Sequence, residues 1–426
     1  MERADLVTPG GDPAWARTAA VVWPLRGGAG AALAPARSGS PAGEAYELVR
    51  YGGRVRYVVD RGLPRRARHA VLMYGNRLRA PRRRAARSLV AAAFLAGPRA
   101  RADAVVRVVP QRDALRLRAL AAGSLGRPEH ELHLSLAVLD RDGTARPTVL
   151  VTDATGHPLL FLKVGAGRER RAALRRERTG ALAAARAADL VGDAALLVPR
   201  PVLWHDEDGV AVLGTTPLPH DVAPADAADP ASTWERLDAL VGAARGSAPA
   251  LAESPWLARL GVEAADLVAS TDAAVAERGT RCAAVLDAVR RLHGRTVLPH
   301  GLRHGDWSSW NLGWADGGRR LVVWDWEYGE GSAPLALDRH NWQFARATSV
   351  GGASAGRAAV DLLARSAEPR SAGRVRTGPL TARLYLLDMA VRRAVLAGGG
   401  ERGSGEAADA ILDVLAADGL GRPRTT

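Results

Sequence analysis

Between residues 304 and 327 the chain gathers side chains suited to oxygen chemistry. His304-Gly305-Asp306-Trp307-Ser308-Ser309-Trp310-Asn311 is followed by an apolar run, Leu321-Val322-Val323-Trp324, that leads into Asp325-Trp326-Glu327. An isolated acidic loop is usually only solvated. Joined to an amide, a strand-like run and a second acidic turn, it offers the oxygen atoms that take a proton or hold a hard cation. Other chemistries fit poorly. Gly352-Ala353-Ser354-Ala355-Gly356 has the Gly-x-Ser-x-Gly spacing of a hydrolase elbow, but no strand precedes it and no histidine follows it. The histidines lack metal-ligand spacing, and the single cysteine, Cys282, cannot build a zinc cage.

A lysine stands out for a different reason. Of the 59 basic residues 58 are arginine, and the only lysine is Lys163, at the end of the strand-like run Phe161-Leu162-Lys163-Val164. Where a chain places arginine everywhere else, a compact ammonium marks a position that needs a point charge.

These residues resemble the aminoglycoside and choline kinase-like phosphotransferase superfamily, over roughly residues 130–345. Its members show His-Gly-Asp, then Asn, then a hydrophobic strand ending in Asp-Trp-Glu, and the five-residue step from Asp306 to Asn311 matches the kinase Asp-x-x-x-x-Asn element. The resemblance implies ATP and Mg2+ as cofactors. It implies Asp306 as catalytic base and Asn311 and Asp325 as metal ligands. It further implies that Lys163 contacts the ATP phosphates, paired with Glu177 fourteen residues on, with Glu169 as the alternative. The segment 210–219 resembles the hinge that receives adenine, with Thr215 as the nucleotide-binding choice. Gly331-Ser332-Ala333-Pro334 and Asp338 also fit the pattern, Asp338 as a structural acid near the catalytic loop. Trp307 and Trp310, inside the loop, are the tryptophans placed to meet a ligand.

The chain departs from the protein kinases in two places. The turn at 140–146 has only Gly143 where those enzymes carry three glycines. Only 12 residues separate Asp325 from Asp338 and no Ala-Pro-Glu follows, which leaves little room for a peptide-docking segment. The expected partner is therefore a hydroxyl acceptor of small size: an aminoglycoside, amino alcohol, sugar or nucleoside.

The positioning elements can be read from periodicity. Residues 134–139, 148–152 and 159–164 are short apolar runs separated by turn residues, which predicts three antiparallel strands. Residues 168–188 predict a helix, and 202–204 with 210–213 a further strand pair. Beyond residue 230 helical patterning dominates. The elements make the fold class α+β, and the resemblance implies a two-lobed protein kinase-like fold with an antiparallel β N-lobe over 125–217 and a helical C-lobe over 218–426 that carries the catalytic loop. An N-terminal accessory α/β segment precedes it. It comprises a flexible stretch, 1–40, and an Arg-rich module, 41–120, that opens with a hairpin over 45–59 around Gly52-Gly53.

Charge and composition bound the rest. A hydrophobic content of 47% argues against wholesale disorder. The net charge of +14 and the twelve arginines without an acid between residues 61 and 102 offer an anion-binding face. Without interleaved aromatics or a nucleic-acid motif they read as solvated helix surface, so no specific nucleic acid is expected. The apolar run 89–96 is too short to span a bilayer and reads as a core helix. With no secretion signal and one cysteine, the expected compartment is the cytoplasm. Two rivals are a catalytically inactive, nucleotide-binding regulatory protein of the same fold and a polyanion binder acting through the Arg-rich module.

Overall fold

The apolar alternation at 133–166 folds as an antiparallel meander and positions the lone lysine. The computed structural model describes residues 13–22, 32–35, 44–51, 54–78, 81–96, 105–109, 116–138, 140–141, 144–192, 195–225, 231–244, 246–367, 370–372 and 375–420. Its contacts divide the chain into two units, Met1–Arg178 with Pro199–Ala223, and Thr179–Val198 with Pro224–Thr426.

The first unit is built on a nine-stranded antiparallel sheet. Its strands are β1 (Ala32–Pro35), β2 (Glu44–Tyr51), β3 (Arg54–Asp60), β4 (Val105–Val109), β5 (His133–Ala137), β8 (Thr148–Thr152), β9 (Pro158–Ala166), β11 (Pro201–Glu207) and β12 (Val210–Thr215). They are ordered β1-β4-β2-β3-β5-β8-β9-β12-β11. Between β5 and β8, β6 (Asp140–Arg141) and β7 (Thr144–Ala145) form a small hairpin of their own; Gly143 lies outside the described residues. β10 (Leu196–Leu197) belongs to the second unit. The helices are α1 (Pro13–Val22), α2 (Arg65–Met73), α3 (Pro81–Ala96), α4 (Leu117–Leu125) and the start of α5 (Arg168–Val191).

Side chains alternate across the sheet. Leu160, Leu162 and Val164 of β9 join Val149 and Val151 of β8 in a core closed by Trp15 of α1 and Leu117 of α4. Phe161 of β9 and Leu150 of β8 pack on the other face with Val71 and Leu72 of α2 and Ala91 of α3. Leu174 of α5 covers Ala211 and Leu213 of β12.

The strands of the Arg-rich stretch and those of the meander share this one sheet. β3 pairs with β5 from Tyr57–Ala137 to Val59–Ser135. That pairing satisfies backbone groups that an isolated five-stranded sheet would leave on an open edge. Within the first 40 residues, expected to be loose, α1 and β1 are formed and Trp15 is fully buried; the rest of that stretch lies outside the described residues. The run 89–96 is helical but is not a core helix throughout. Leu89 is 75% exposed and Leu95 47%, while Ala91 is fully buried and Val90 packs partly buried beside it. Arg65, Arg66, Arg82, Arg83 and Arg84 are exposed.

The second unit is helical. α6 (Ala231–Ala243), α7 (Pro255–Val268), α8 (Ala273–His293), α9 (Leu337–Ala345), α10 (Ala355–Ser366), α11 (Pro379–Gly398) and α12 (Ser404–Ala417) alternate with short strands. Those strands are β13 (Ala223–Pro224), β14 (His300–Arg303), β15 (Leu312–Ala315), β16 (Arg320–Val323), β17 (Glu330–Pro334), β18 (Arg370–Ala372) and β19 (Val375–Thr377). Asp272 starts α8 by accepting from the backbone N–H groups of Ala274 and Val275. Leu257 and Leu260 of α7, Val285 and Leu286 of α8, Leu387 of α11 and Ile411 of α12 share one core. No helix among the described residues is long and apolar enough to cross a membrane.

An ionic cluster is buried inside this unit. Arg303, 2% exposed, donates to Asp388 of α11 at 2.7 Å and lies 3.4 Å from Glu330. Arg259 of α7 bridges Glu330 at 2.8 Å and Asp388 at 2.9 Å. Burial alone would raise the Asp388 carboxyl, but Arg303, Arg392 and Arg259 outweigh it, and the group is held well below the usual carboxylate range. Its contribution is therefore present at neutral pH and fades as acid protonates it. Asp388→Asn should cost about 3–5 kcal/mol at pH 7, because it leaves a buried guanidinium without its main partner. Urea denaturation checks this, and the gap from wild type should narrow in acid. A variant as stable as wild type at pH 7 would mean the cluster is not stabilising.

Candidate active site

In the first unit the antiparallel register places Lys163 of β9 opposite Leu213 of β12 and Thr148 of β8. Its half-buried ammonium donates to Glu177 Oε1 of α5 at 2.5 Å, and Glu177 itself is buried. The structure thus takes Glu177 rather than Glu169 as the lysine's partner. Thr215 closes β12 opposite Phe161, and its Oγ1 lies 3.5 Å from the Phe161 carbonyl, the outer limit of a hydrogen bond.

In the second unit the loop 304–311 connects two antiparallel strand pairs. β14 pairs with β17 and β15 with β16. Leaving β14, the chain reverses at Gly305, whose φ of +79° favours glycine. A side chain there would also drive its Cβ into the Tyr328 carbonyl. The loop is anchored by Asp338, in the first turn of α9. Its Oδ2 accepts from His304 N–H at 2.7 Å and its Oδ1 from Gly305 N–H at 2.9 Å. The His304 ring completes the brace, with Nε2 donating to the Trp324 carbonyl at 2.9 Å and Nδ1 accepting from Asp306 N–H at 3.1 Å. This bond runs from the first acidic segment to the second.

The brace presents the Asp306 carboxylate half-buried among nitrogen donors. Asn311 Nδ2 donates to Asp306 Oδ2 at 2.8 Å and to its backbone carbonyl at 3.1 Å. Trp310 Nε1 donates to Oδ2 at 3.2 Å, and Asn341 Nδ2 of α9 approaches Oδ1 at 3.4 Å. Asn341 is held in turn by the buried Tyr385 hydroxyl, which donates to its Oδ1 at 3.2 Å.

Asn311 and Asp325 come to the same end of the β15–β16 hairpin. Leu312 pairs with Val323, so Asn311 faces Trp324, whose N–H donates to the Asn311 carbonyl at 3.2 Å. Asp325 follows with a φ of +68°, a left-handed conformation unusual for a residue with a side chain. The donor set suits magnesium. The Asn311 amide nitrogen is committed to Asp306, so its oxygen is the atom a cation would take, and Asp325 adds a carboxylate; both are hard oxygen ligands.

Residues outside the proposed catalytic set thus support the loop, and Asp338 does so as the structural acid expected from the sequence pattern. Asn341 and Asp338 lie three apart on α9 and share a face, a spacing readable in the sequence once α9 is known to face the loop. His304 was legible only as part of its motif, and Arg303 beneath it not at all. Trp307, expected beside a ligand, is instead fully buried and packs edge-on to His304 at 6.0 Å. Trp310 is 47% exposed.

No family model matches the chain, and no curated protein does. Among solved structures it is similar to a thermostable mutant of an aminoglycoside phosphotransferase in ternary complex with ADP and hygromycin B. There the identity is 13%, over 70% of this chain and 98% of that one, with a TM-score of 0.42. It is similar to an ethanolamine kinase of Plasmodium vivax at 12% identity, over 68% and 82%, with a TM-score of 0.40. A glucosamine kinase matches at 19%, over 73% and 79%, with a TM-score of 0.30. By name, one is a phosphotransferase and two are kinases. At these identities and scores, the chemistry of this chain is carried by its own residues.

Gly305→Ala should lose at least about 1–2 kcal/mol from the left-handed backbone alone, with the Tyr328 clash in addition. Denaturant unfolding measures it. Wild-type stability in this variant would show that the turn is not held as described.

Proposed function

We propose that this protein is an ATP- and magnesium-dependent phosphotransferase that moves the γ-phosphoryl group to a hydroxyl of a small molecule. The observation that carries the reading is the braced Asp306 carboxylate, with Asn311 and Asp325 meeting at one hairpin end beside it. Supporting it, Lys163 of the other unit is paired with a buried glutamate.

In this reading Asp306 accepts the proton of the acceptor hydroxyl as its oxygen attacks the γ-phosphorus and the bond to the β,γ-bridging oxygen breaks, leaving ADP. Hydrogen bonds from Asn311, Trp310 and Asn341 orient the carboxylate and limit its rotation. Asn311 and Asp325 are the residues that would hold magnesium, which neutralises phosphate charge when bound. Lys163 places a point charge on the phosphates, and Glu177 fixes its position. Thr215 closes the strand before the segment proposed to receive the base.

A small acceptor is favoured because the chain after Asp325 is already used. Residues 330–334 form β17 against β14 and α9 begins at Leu337, which leaves no long segment for docking a peptide. Aminoglycosides, amino alcohols, sugars and nucleosides all fit this description, and the cytoplasm, where ATP is available, is the proposed setting.

Asp306→Asn should keep ATP affinity near wild type and lower turnover by about 10²–10⁴-fold, since it removes a base while preserving shape. In parallel calorimetry, Asp325→Ala should lose the gain in ATP affinity that magnesium gives the wild type. Near-normal turnover in the first variant would remove Asp306 from the chemistry. An unchanged magnesium dependence in the second would remove Asp325 as a ligand.

A further inference from the structure

Tyr74, just after α2, meets both backbone groups of one residue in the segment after β12. Leu218 N–H donates to Tyr74 Oη at 2.6 Å, and the Tyr74 hydroxyl donates to the Leu218 carbonyl at 3.3 Å. Leu218 lies between Pro217 and Pro219, neither of which has a backbone N–H. Nearby, Thr216 N–H is tied to the Arg200 carbonyl and Val222 N–H to the Pro219 carbonyl. Those bonds belong to the backbone of the fold. Leu218 N–H is instead held by a side chain, which a rotation or a shift of α2 can withdraw.

The position of Tyr74 gives this contact its meaning. Phe161, two residues before Lys163 on β9, shares the face of the sheet that carries the lysine. With Leu150 it is packed under Val71 and Leu72 of α2 and Ala91 of α3, in the cluster that Tyr74 also joins. The His220 ring meets Tyr74 edge-on at 5.9 Å. Part of the lysine's own face, next to the post-β12 segment, is therefore covered by helices of the Arg-rich stretch.

A tyrosine hydroxyl that accepts from an N–H and donates to a C=O offers the pattern of an adenine edge, whose ring nitrogen accepts and whose amino group donates. We propose that the α2–α3 hairpin is a resident cover over the base end of the nucleotide site and that Tyr74 is its latch, holding the backbone groups a purine would take. The proposal rests on the phosphotransferase reading above. The covered state taxes nucleotide affinity by the fraction of molecules that are open, and base binding must release the latch. A triphosphate without a base, engaging only the phosphate end, is not taxed.

The test is calorimetry of magnesium-ATP and of inorganic magnesium-triphosphate on the full-length wild type and on Tyr74→Phe, which keeps the ring and removes both hydrogen bonds. ATP should bind Tyr74→Phe about five- to 150-fold more tightly, the range that loss of two net hydrogen bonds spans. Triphosphate should bind both proteins alike. As a measurement independent of the variant, hydrogen exchange in wild-type residues 65–74 should quicken when ATP is added and stay unchanged with triphosphate. If ATP binds a folded Tyr74→Phe equally or more weakly, or if exchange slows or stays constant with ATP, the cover is wrong while the phosphotransferase reading stands. If neither ligand binds either protein, both fall together.

Discussion

Two backbone N–H groups at the reversal after β14 are held by one buried carboxylate, and the candidate site is built outward from that contact. Asp338 fixes His304 and Gly305. His304 then joins the Asp306 backbone to the Trp324 carbonyl, so both acidic segments are tied to one point. A loop of this kind cannot be placed by its own hydrogen bonds alone, because the left-handed Gly305 turn has no ladder to continue it. Beneath the loop, Arg303 is fully desolvated and held by Asp388 and Glu330. Such a pair stabilises little over a well-packed apolar alternative, yet it costs several kcal/mol to break, so its contribution lies in fixing where β14 ends.

The two units contribute differently to the proposed chemistry. The sheet unit holds Lys163 by strand register and by a charge-assisted bond to Glu177. The helical unit holds Asp306 by a network in which three side-chain nitrogens converge on one carboxylate. Several donors around a half-buried carboxylate reduce the freedom it must lose when a hydroxyl arrives, which is the physical content of preorganisation.

Much of this was legible in the sequence because it depended on short-range pattern. The alternation at 134–164 fixes the meander, and the five-residue step from Asp306 to Asn311 fits one loop. Asn311 and Asp325 are joined by a hairpin whose strand the apolar run 321–324 betrays. Less legible was what depends on partners distant in sequence. The pairing of β3 with β5 links residues some eighty apart, so the hairpin at 45–59 gave no sign that it extends the sheet. Asn341 and Asp388 look like ordinary helix residues until packing brings them to Asp306 and Arg303. Trp307 and Trp310 belong to one loop and look equivalent, yet one is core and the other is 47% exposed, a difference decided by which side of the turn faces His304.

The reading as a whole turns on whether phosphate moves from ATP to a small hydroxyl. The most direct measurement is incubation of the full-length protein with magnesium-ATP and a panel of aminoglycosides, amino alcohols, sugars and nucleosides, with mass spectrometry of every acceptor. The account predicts that at least one acceptor gains a single phosphoryl group, with matching formation of ADP, and that the product disappears when magnesium is chelated. Tight nucleotide binding with no phosphorylated acceptor anywhere in the panel would contradict it and identify the braced carboxylate as part of a binding fold without catalysis.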